Sequence, residues 1–173
     1  MPIFPYIREN AVAYARRWAF DRNPRFYNFS GQGGDCTNFI SQCVYAGSCR
    51  MDFTDTFGWY YRSLNDRTPS WTGVQFFYEF LTRDRESPGP FARETDAGGL
   101  QLGDVIQLGR EDGQYYHTLI VTGFSPGSYL VAAHSNDALD RPLVSYTYKR
   151  ARFLHILGVR APVRPPECLA SLL

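Results

Sequence analysis

The hydrophobic periodicity of the chain changes near residue 100, and this change limits the folds that it can adopt. Before it, apolar residues recur at helical spacing in stretches that begin near Ile7, Cys36 and Thr72. From Gly103 onward the apolar runs are short or alternate with polar residues, as in β-strands. The predicted strands are Asp104–Leu108, Tyr115–Thr122, Tyr129–His134, Val144–Tyr148 and Phe153–Val159. This order predicts an α+β fold with N-terminal helices packed on a C-terminal antiparallel β-sheet.

The composition excludes several classes of protein. The 173 residues are 44% hydrophobic, and the net charge of +1 comes from scattered charges, so nucleic acid is not expected as a partner. No apolar run approaches the roughly 18 residues of a membrane span. The cysteines lack C-x-x-C spacing and the histidines form no ligand pair, so neither a metal site nor a cofactor is expected. A disulfide between Cys49 and Cys168 stays an open alternative.

The organisation of the chain is simple. It contains no linker and no internal repeat, so we expect residues 1–173 to form one domain. Its first ten residues lack a charged region followed by an apolar core, so no signal peptide is predicted. On this reading the protein is cytoplasmic or the chain is a mature form.

The helix starts carry the local signals that matter most. The glycine-rich stretch Gly31–Gly34 leads into the second helix, which we expect to begin at Asp35 or Cys36. The third helix is expected near Thr72, because Thr72 and Gln75 have the spacing of a capping box.

Cys36 lies where a thiol nucleophile is expected. At the start of a helix its sulfur is close to unpaired backbone N–H groups, which stabilise a thiolate and lower the pKa. Asp35 opposes this effect unless its carboxylate turns away to cap backbone N–H groups. Cys43 lies seven residues further along the same helix face and is expected to be a buried apolar filler.

Two histidines are candidates to serve this thiol. His117 opens the apolar run T-L-I-V-T-G, and His134 closes the run Y-L-V-A-A-H. If these runs form a hairpin, the two histidines are neighbours at one edge of the sheet. The pattern predicts a Cys36–His117 pair with His134 as the third triad member, and Asn136 and Asp137 as alternatives for that third position.

The stretch G-G-D-C-T-N-F-I-S-Q-C resembles the nucleophile segment of the putative amidase domain family, which is related to the NlpC/P60 and CHAP cysteine hydrolases of papain-like fold. Further segments match in order: Y-I-R-E-N-A-V-A-Y-A-R-R-W-A, N-P-R-F-Y-N-F, P-S-W-T-G-V-Q-F-F-Y-E-F-L, G-D-V-I-Q-L, H-T-L-I-V-T-G and A-A-H-S-N-D. The resemblance extends from Tyr6 to Val159. It implies a papain-like (NlpC/P60-type) fold, a nucleophile at Cys36, a catalytic histidine at His117 and a third polar residue, favouring His134. It also implies an exported or cell-envelope protein.

The function expected is that of a cysteine-dependent amidase or peptidase that cleaves amide bonds through a thioester, with peptides of the bacterial cell wall (peptidoglycan) as substrates. An acyltransferase with the same triad and a non-catalytic binding module on the same fold are the alternatives. The backbone N–H of Cys36 is expected to form part of an oxyanion hole, with Gln32 or Tyr27 as a side-chain donor. Aromatic residues of the middle segment either line the cleft or cap the core; they are Trp59, Tyr60, Tyr61 and Trp71.

Overall fold

Helices dominate the first half of the chain and strands the second half in the computed structural model, which describes residues 1–173. The first half contains β1 (Ile3–Phe4), α1 (Arg8–Trp18), α2 (Cys36–Ser48), β2 (Tyr61–Ser63), β3 (Asp66–Arg67), α3 (Pro69–Thr72) and α4 (Val74–Leu81). The second half contains β4 (Gly89–Thr95), β5 (Val105–Gly109), β6 (Tyr115–Ser125), β7 (Ser128–Ala133), β8 (Ala138–Pro142) and β9 (Arg150–Arg160). The α+β class with an antiparallel sheet is therefore confirmed.

One curled antiparallel sheet carries seven of the strands. Its order is β1–β9–β5–β6–β7–β8, and β4 also pairs along β9. Strand β6 lies between β5 and β7, with Gln107 opposite Thr118 and Ile120 opposite Ala132. The start of β6 is therefore close to the end of β7, as the hairpin prediction requires.

Helix α2 is the centre of the hydrophobic core. All of its residues except Tyr45 are buried, because α1, α3 and the sheet surround it. The cluster on this side contains 26 buried residues, and eight more form a second cluster around Ile106 and Leu119. Adjacent strand residues alternate between the two clusters, as Val105 and Ile106 do. No helix is long and apolar enough to cross a membrane.

The predicted third helix is confirmed as α4, but its predicted cap is wrong, and an unpredicted short helix, α3, starts earlier. Two short helices occupy this segment: α3 begins at Pro69, and α4 begins after Gly73. No side chain caps either helix, so Thr72 and Gln75 form no capping box. Proline at the first helical position explains the earlier start, since its fixed φ suits the first turn and it has no N–H to leave unpaired.

Two strand expectations also differ from the structure. The predicted strand Val144–Tyr148 is absent; a 3₁₀ turn, Leu143–Ser145, follows β8 there. Strand β4 was not predicted, because its Pro90 disfavours a central strand. Strand β4 pairs only with β9, so a proline without an N–H is tolerated on it.

The open cysteine alternative is realised, because Cys49 and Cys168 form a disulfide with Cα atoms 5.6 Å apart. Cys49 ends α2 in a left-handed conformation with φ 48°. The C-terminal residues beyond the disulfide pack on α1, where the Leu172 carbonyl accepts a hydrogen bond from Trp18 Nε1.

The disulfide predicts a measurable stabilisation. It closes a loop of 119 residues, so replacing both Cys49 and Cys168 by alanine should lower the free energy of unfolding by about 2–5 kcal/mol. Urea unfolding of wild type with and without dithiothreitol measures this difference. The double variant is the control, because reductant should not affect it; a wild type insensitive to reductant contradicts the prediction.

Candidate active site

A cavity of about 350 Å³ lies where the N-terminus of α2 meets the start of β6. Cys36 and His117 both line it. Residues of other segments also line it. They include Gly33 and Gly34 before α2, Ser135 and Asn136 after β7, Arg141 on β8 and Tyr146 after β8. The expected thiol and imidazole are therefore brought to one site.

A hydrogen bond between two threonines holds this meeting point together. Thr37 follows the thiol and Thr118 follows the imidazole, and their Oγ1 atoms lie 2.9 Å apart in the buried interior. Gln107 extends the contact by donating from Nε2 to Thr118 Oγ1 at 3.3 Å. The polar chain fixes the first turn of α2 against β6, directly beside the cavity.

The carboxylate of Asp35 organises the segment before Cys36. Asp35 is 1% exposed. It accepts hydrogen bonds from the backbone N–H of Phe29 at 2.8 Å and from Asn38 Nδ2 at 2.9 Å. His134 Nδ1 lies 2.6 Å from its other oxygen, and Arg22 Nε is 3.7 Å away. Asp35 is the N-cap residue of α2, but its side chain makes no capping hydrogen bond to the helix. The expected capping is therefore wrong.

His134 is buried, and its ring contacts the Asp35 carboxylate and makes no hydrogen bond to His117. Its Nε2 lies 2.8 Å from the Trp18 carbonyl oxygen and 3.2 Å from Arg22 Nη1. Its ring stacks on Phe39 with centroids 3.8 Å apart. Both ring nitrogens are thus occupied by other partners. The His134 ring therefore makes no hydrogen bond to His117, because β7 ends at Ala133 and the chain then turns toward Asp35.

The turn after β7 forms one wall of the cavity. Ser135 and Asn136 both have φ 64°, a left-handed conformation that is uncommon for residues other than glycine. Ser135 Oγ accepts a hydrogen bond from the Asp35 N–H at 3.3 Å. Asp137 lies outside the cavity and pairs with both terminal nitrogens of Arg22, at 3.0 Å each. These side chains belong to a turn, so the alternation of a strand does not determine which way they face.

The titration properties of the two reactive groups come mainly from burial. Burial raises the pKa of the Cys36 thiol, and the neighbouring Asp35 charge raises it further. Hydrogen bonding from the Thr118 and Thr37 backbone and from the Thr37 hydroxyl opposes this effect without reversing it. Burial, assisted by the positive charge of Arg141, lowers the pKa of His117 from 6.5 to about 4. At neutral pH the pair is a thiol beside a neutral imidazole, so the expected resting thiolate is not what this site favours.

Comparison with known proteins agrees with the resemblance read from the motifs. Residues 5–157 match the profile of the family described as putative amidase domain. The chain belongs to this family.

The relatives in the family are longer than this chain. It is 35% identical over 142 residues to the uncharacterized protein YhbB of Bacillus subtilis, which covers 80% of this chain and 44% of that protein. It is 27% identical over 158 residues to the uncharacterized protein YjcM of the same organism, which covers 87% of this chain and 36% of that protein. The chain thus spans less than half the length of either relative. No solved structure gives a significant match.

Three of the four aromatic residues considered for the cleft belong to the core. Trp59 and Trp71 are fully buried, with ring centroids 4.7 Å apart. Their ring N–H groups donate to Ser41 Oγ and Asn38 Oδ1, both on α2. Tyr61 belongs to the same core cluster, whereas Tyr60 lies outside it with its ring against Phe53. None of the four lines the cavity, and packing against α2 explains the placement of the two tryptophans.

The side-chain oxyanion candidates are not part of the cavity either. Tyr27 donates a hydrogen bond from its hydroxyl to Gln32 Oε1 at 3.1 Å, and neither residue lines the cavity. Gly33 and Gly34 line it instead, with φ of 88° and 97°.

Sequence reasoning missed four residues of the site. A threonine directly follows each of the two reactive residues: Thr37 follows Cys36, and Thr118 follows His117. This similarity indicates that the threonines pair only once the fold is known. Arg141 carries no motif in the sequence, and Tyr146 lies in the segment that was predicted as a strand, so neither was expected at the site. Nowhere in the chain do three or more His, Cys, Asp or Glu side chains gather in a group that could hold a metal ion.

The lowered pKa of His117 predicts a pH dependence of stability. Between pH 6.5 and about 4 the unfolded chain binds a proton on this residue and the folded chain does not. The contribution of His117 is therefore complete above pH 6.5 and is lost as pH falls to about 4, a difference of up to about 3 kcal/mol. Urea unfolding of wild type and His117→Gln across this range measures it. Wild type should lose more stability than the variant; parallel pH curves for the two proteins contradict the assignment.

Proposed function

We propose that this protein is a cysteine-dependent amidase or peptidase in which Cys36 attacks an amide carbonyl and His117 transfers the proton. The observation that carries the proposal is the placement of the thiol and the imidazole on one cavity. Membership of the putative amidase domain family supports amide bonds as the target.

The mechanism starts from a neutral pair. His117 is unprotonated at neutral pH because its pKa is lowered to about 4, so it is free to accept a proton. The thiol of Cys36 gives up its proton as it attacks, which creates the ion pair only when substrate is present. An imidazolium that is disfavoured by burial then donates readily to the leaving amine. Water hydrolyses the resulting thioester.

The N-terminus of α2 supplies stabilisation for the negative charge that forms on the carbonyl oxygen. The first N–H groups of a helix have no partner within it, and Cys36 is the first residue of α2. Gly33 and Gly34 leave this approach free of side chains. We propose the Cys36 N–H as the oxyanion donor, in place of Gln32 or Tyr27.

The third position of the triad is best supported for Asn136. The His117 side chain makes no hydrogen bond within the protein, and Asn136 is the only one of the three candidates that lines the same cavity. We propose that Asn136 orients His117 when substrate is bound. His134 is a positioning residue that acts through Asp35 on the start of α2.

We also propose the finer fold and the substrate class. A cysteine that opens a helix packed on an antiparallel sheet, with histidine on a strand, supports a papain-like arrangement of the NlpC/P60 type. The pairing of β1 with β9, which joins the two ends of the chain, supports a single domain. The bacterial relatives and the implied link to cell-wall hydrolases support peptidoglycan peptides as substrates.

Replacement of Cys36 tests the mechanism. Cys36→Ala and Cys36→Ser should lower turnover of muropeptides or small amides by at least about 10³-fold, because the nucleophile is lost. Mass spectrometry of products, and of a thioester on the intact protein, provides the measurement. Cys43→Ala is the matched control, since Cys43 is a free cysteine of the same helix that lies away from the cavity.

The outcomes separate the alternatives. Turnover retained in Cys36→Ala overturns the cysteine mechanism. Product that forms only with an added amine acceptor assigns an acyltransferase, and binding without turnover by wild type assigns a binding module.

The threonine contact predicts a second effect on rate. Thr118→Val removes the hydrogen bond to Thr37 and should lower kcat by about 10-fold or more, because small displacements of reacting groups are costly. Thr122→Val is the matched control. Thr122 lies on the same strand as Thr118 but away from the cavity, and the substitution removes its hydrogen bond to Asp140 of β8. Equal kcat losses in both variants, measured at matched stability, would contradict a specific role for Thr118.

A further inference from the structure

Arg141 is the only charged residue that lines the cavity, and no carboxylate lies within ion-pair distance of it. Its Nε donates to Ser145 Oγ at 2.8 Å, and its Nη2 donates to the Ser145 carbonyl oxygen at 3.1 Å. Its Nη1 has no hydrogen-bond partner in the protein. The guanidinium is thus partly used by the fold and keeps free donors.

This situation differs from that of Arg8 and Arg22, two other partly buried arginines. Arg8 pairs with Asp104 at 2.7 Å, and Arg22 pairs with Asp137 at 3.0 Å. Arg141 has no such partner, yet its position is fixed. Its guanidinium carbon lies 3.7 Å from the centre of the Tyr146 ring. A guanidinium held by stacking and by two hydrogen bonds is pre-organised to bind a planar anion such as a carboxylate.

Tyr146 supplies a second polar group beside Arg141. Its hydroxyl oxygen is buried and makes no hydrogen bond of normal geometry in the protein. Burial raises the pKa of this hydroxyl, and the nearby Arg141 guanidinium opposes that rise. Buried polar atoms are nearly always satisfied, so the hydroxyl has the capacity for a further partner. The Tyr146 ring centroid lies 6.0 Å from that of His117, so this residue is close to both the arginine and the imidazole.

We propose that Arg141 and Tyr146 form a carboxylate subsite, and that the substrates are amides with a carboxylate close to the scissile bond. The proposal rests on the proposed function, because it describes the substrate of the same cavity. A cavity of about 350 Å³ is only about two residue lengths across at roughly 3.5 Å per residue. The carboxylate therefore lies within one or two residues of the carbonyl that Cys36 attacks.

The subsite also links binding to catalysis. The groups that surround His117 on the cavity are Arg141, Tyr146, Tyr116 and Cys36, and Arg141 is the only one that is charged at neutral pH. Its charge contributes to the low pKa of His117, after burial. A carboxylate bound on Arg141 offsets that charge, so the substrate itself makes His117 a stronger base.

Matched substrates test the subsite through catalysis. N-acetyl dipeptides with a free C-terminal carboxylate are compared with the same dipeptides as C-terminal amides. Substrates with a glutamyl residue on the acyl side are compared with those that carry a glutaminyl residue there. Wild type should prefer the acid of at least one pair by about 10-fold or more in kcat/KM, and Arg141→Gln should reduce this preference to within about twofold. Arg141→Lys should retain part of it. Arg62→Gln is the control, since Arg62 also stacks on a tyrosine but lies outside the cavity. An equal preference in wild type and Arg141→Gln overturns the proposal.

A binding measurement keeps this test separate from the proposed function. The same acid and amide probes are titrated by calorimetry into Cys36→Ala and into Cys36→Ala/Arg141→Gln. Tighter binding of the acid in the first protein and its loss in the second support the subsite even if Cys36 proves not to be the nucleophile. Equal binding of acid and amide, or no binding of either, overturns the subsite.

Discussion

The carboxylate of Asp35 accepts hydrogen bonds from the backbone of Phe29, from the side chain of Asn38 and from His134, and these three residues belong to different parts of the chain. A charge buried to 1% exposure is unfavourable unless it is paired and fully hydrogen-bonded. The loop before α2, the helix itself and the end of β7 are therefore held together by one group. Cys36 is the next residue, so its position depends on all three contacts.

The same burial determines the resting chemistry of the site. A helix N-terminus favours a thiolate. Here, enclosure of the sulfur and the nearby Asp35 charge act in the opposite direction and prevail. Enclosure also keeps His117 neutral. The site therefore holds its proton on sulfur at rest, and the buried polar chain through Thr37 and Thr118 fixes the position of Cys36 relative to β6. In the proposed mechanism, the proton leaves only when a substrate binds.

The parts of the fold that were predictable have strong local signals. The apolar stripe of α1, the glycine-to-cysteine start of α2 and the runs of β6 and β7 depend on side-chain period, and the structure has them within a few residues. Strand β4 and the short helix α3 were not predicted, because the first depends on an edge position and the second on a proline start, and apolar periodicity indicates neither.

The site shows the same division. The placement of Cys36 and His117 on one cavity followed from helix start and strand order, both of which are local or pairwise properties. The partners of His134, Trp59 and Trp71 depend on which side chains the packed interior leaves unpaired. The sequence around these two tryptophans and this histidine does not indicate which buried groups they bind.

The disulfide and the reactive thiol impose different demands on the same protein. Cys49 and Cys168 stay joined only where conditions are oxidising, and such conditions also convert exposed thiolates to sulfenic acid or mixed disulfides. Cys36 is 8% exposed, and the raised pKa of its thiol keeps the sulfur in the form that reacts slowly with oxidants. In the proposed mechanism the nucleophile forms only when substrate is bound, so the enclosure that raises the pKa of the Cys36 thiol would also protect this sulfur where the structural cysteines are oxidised.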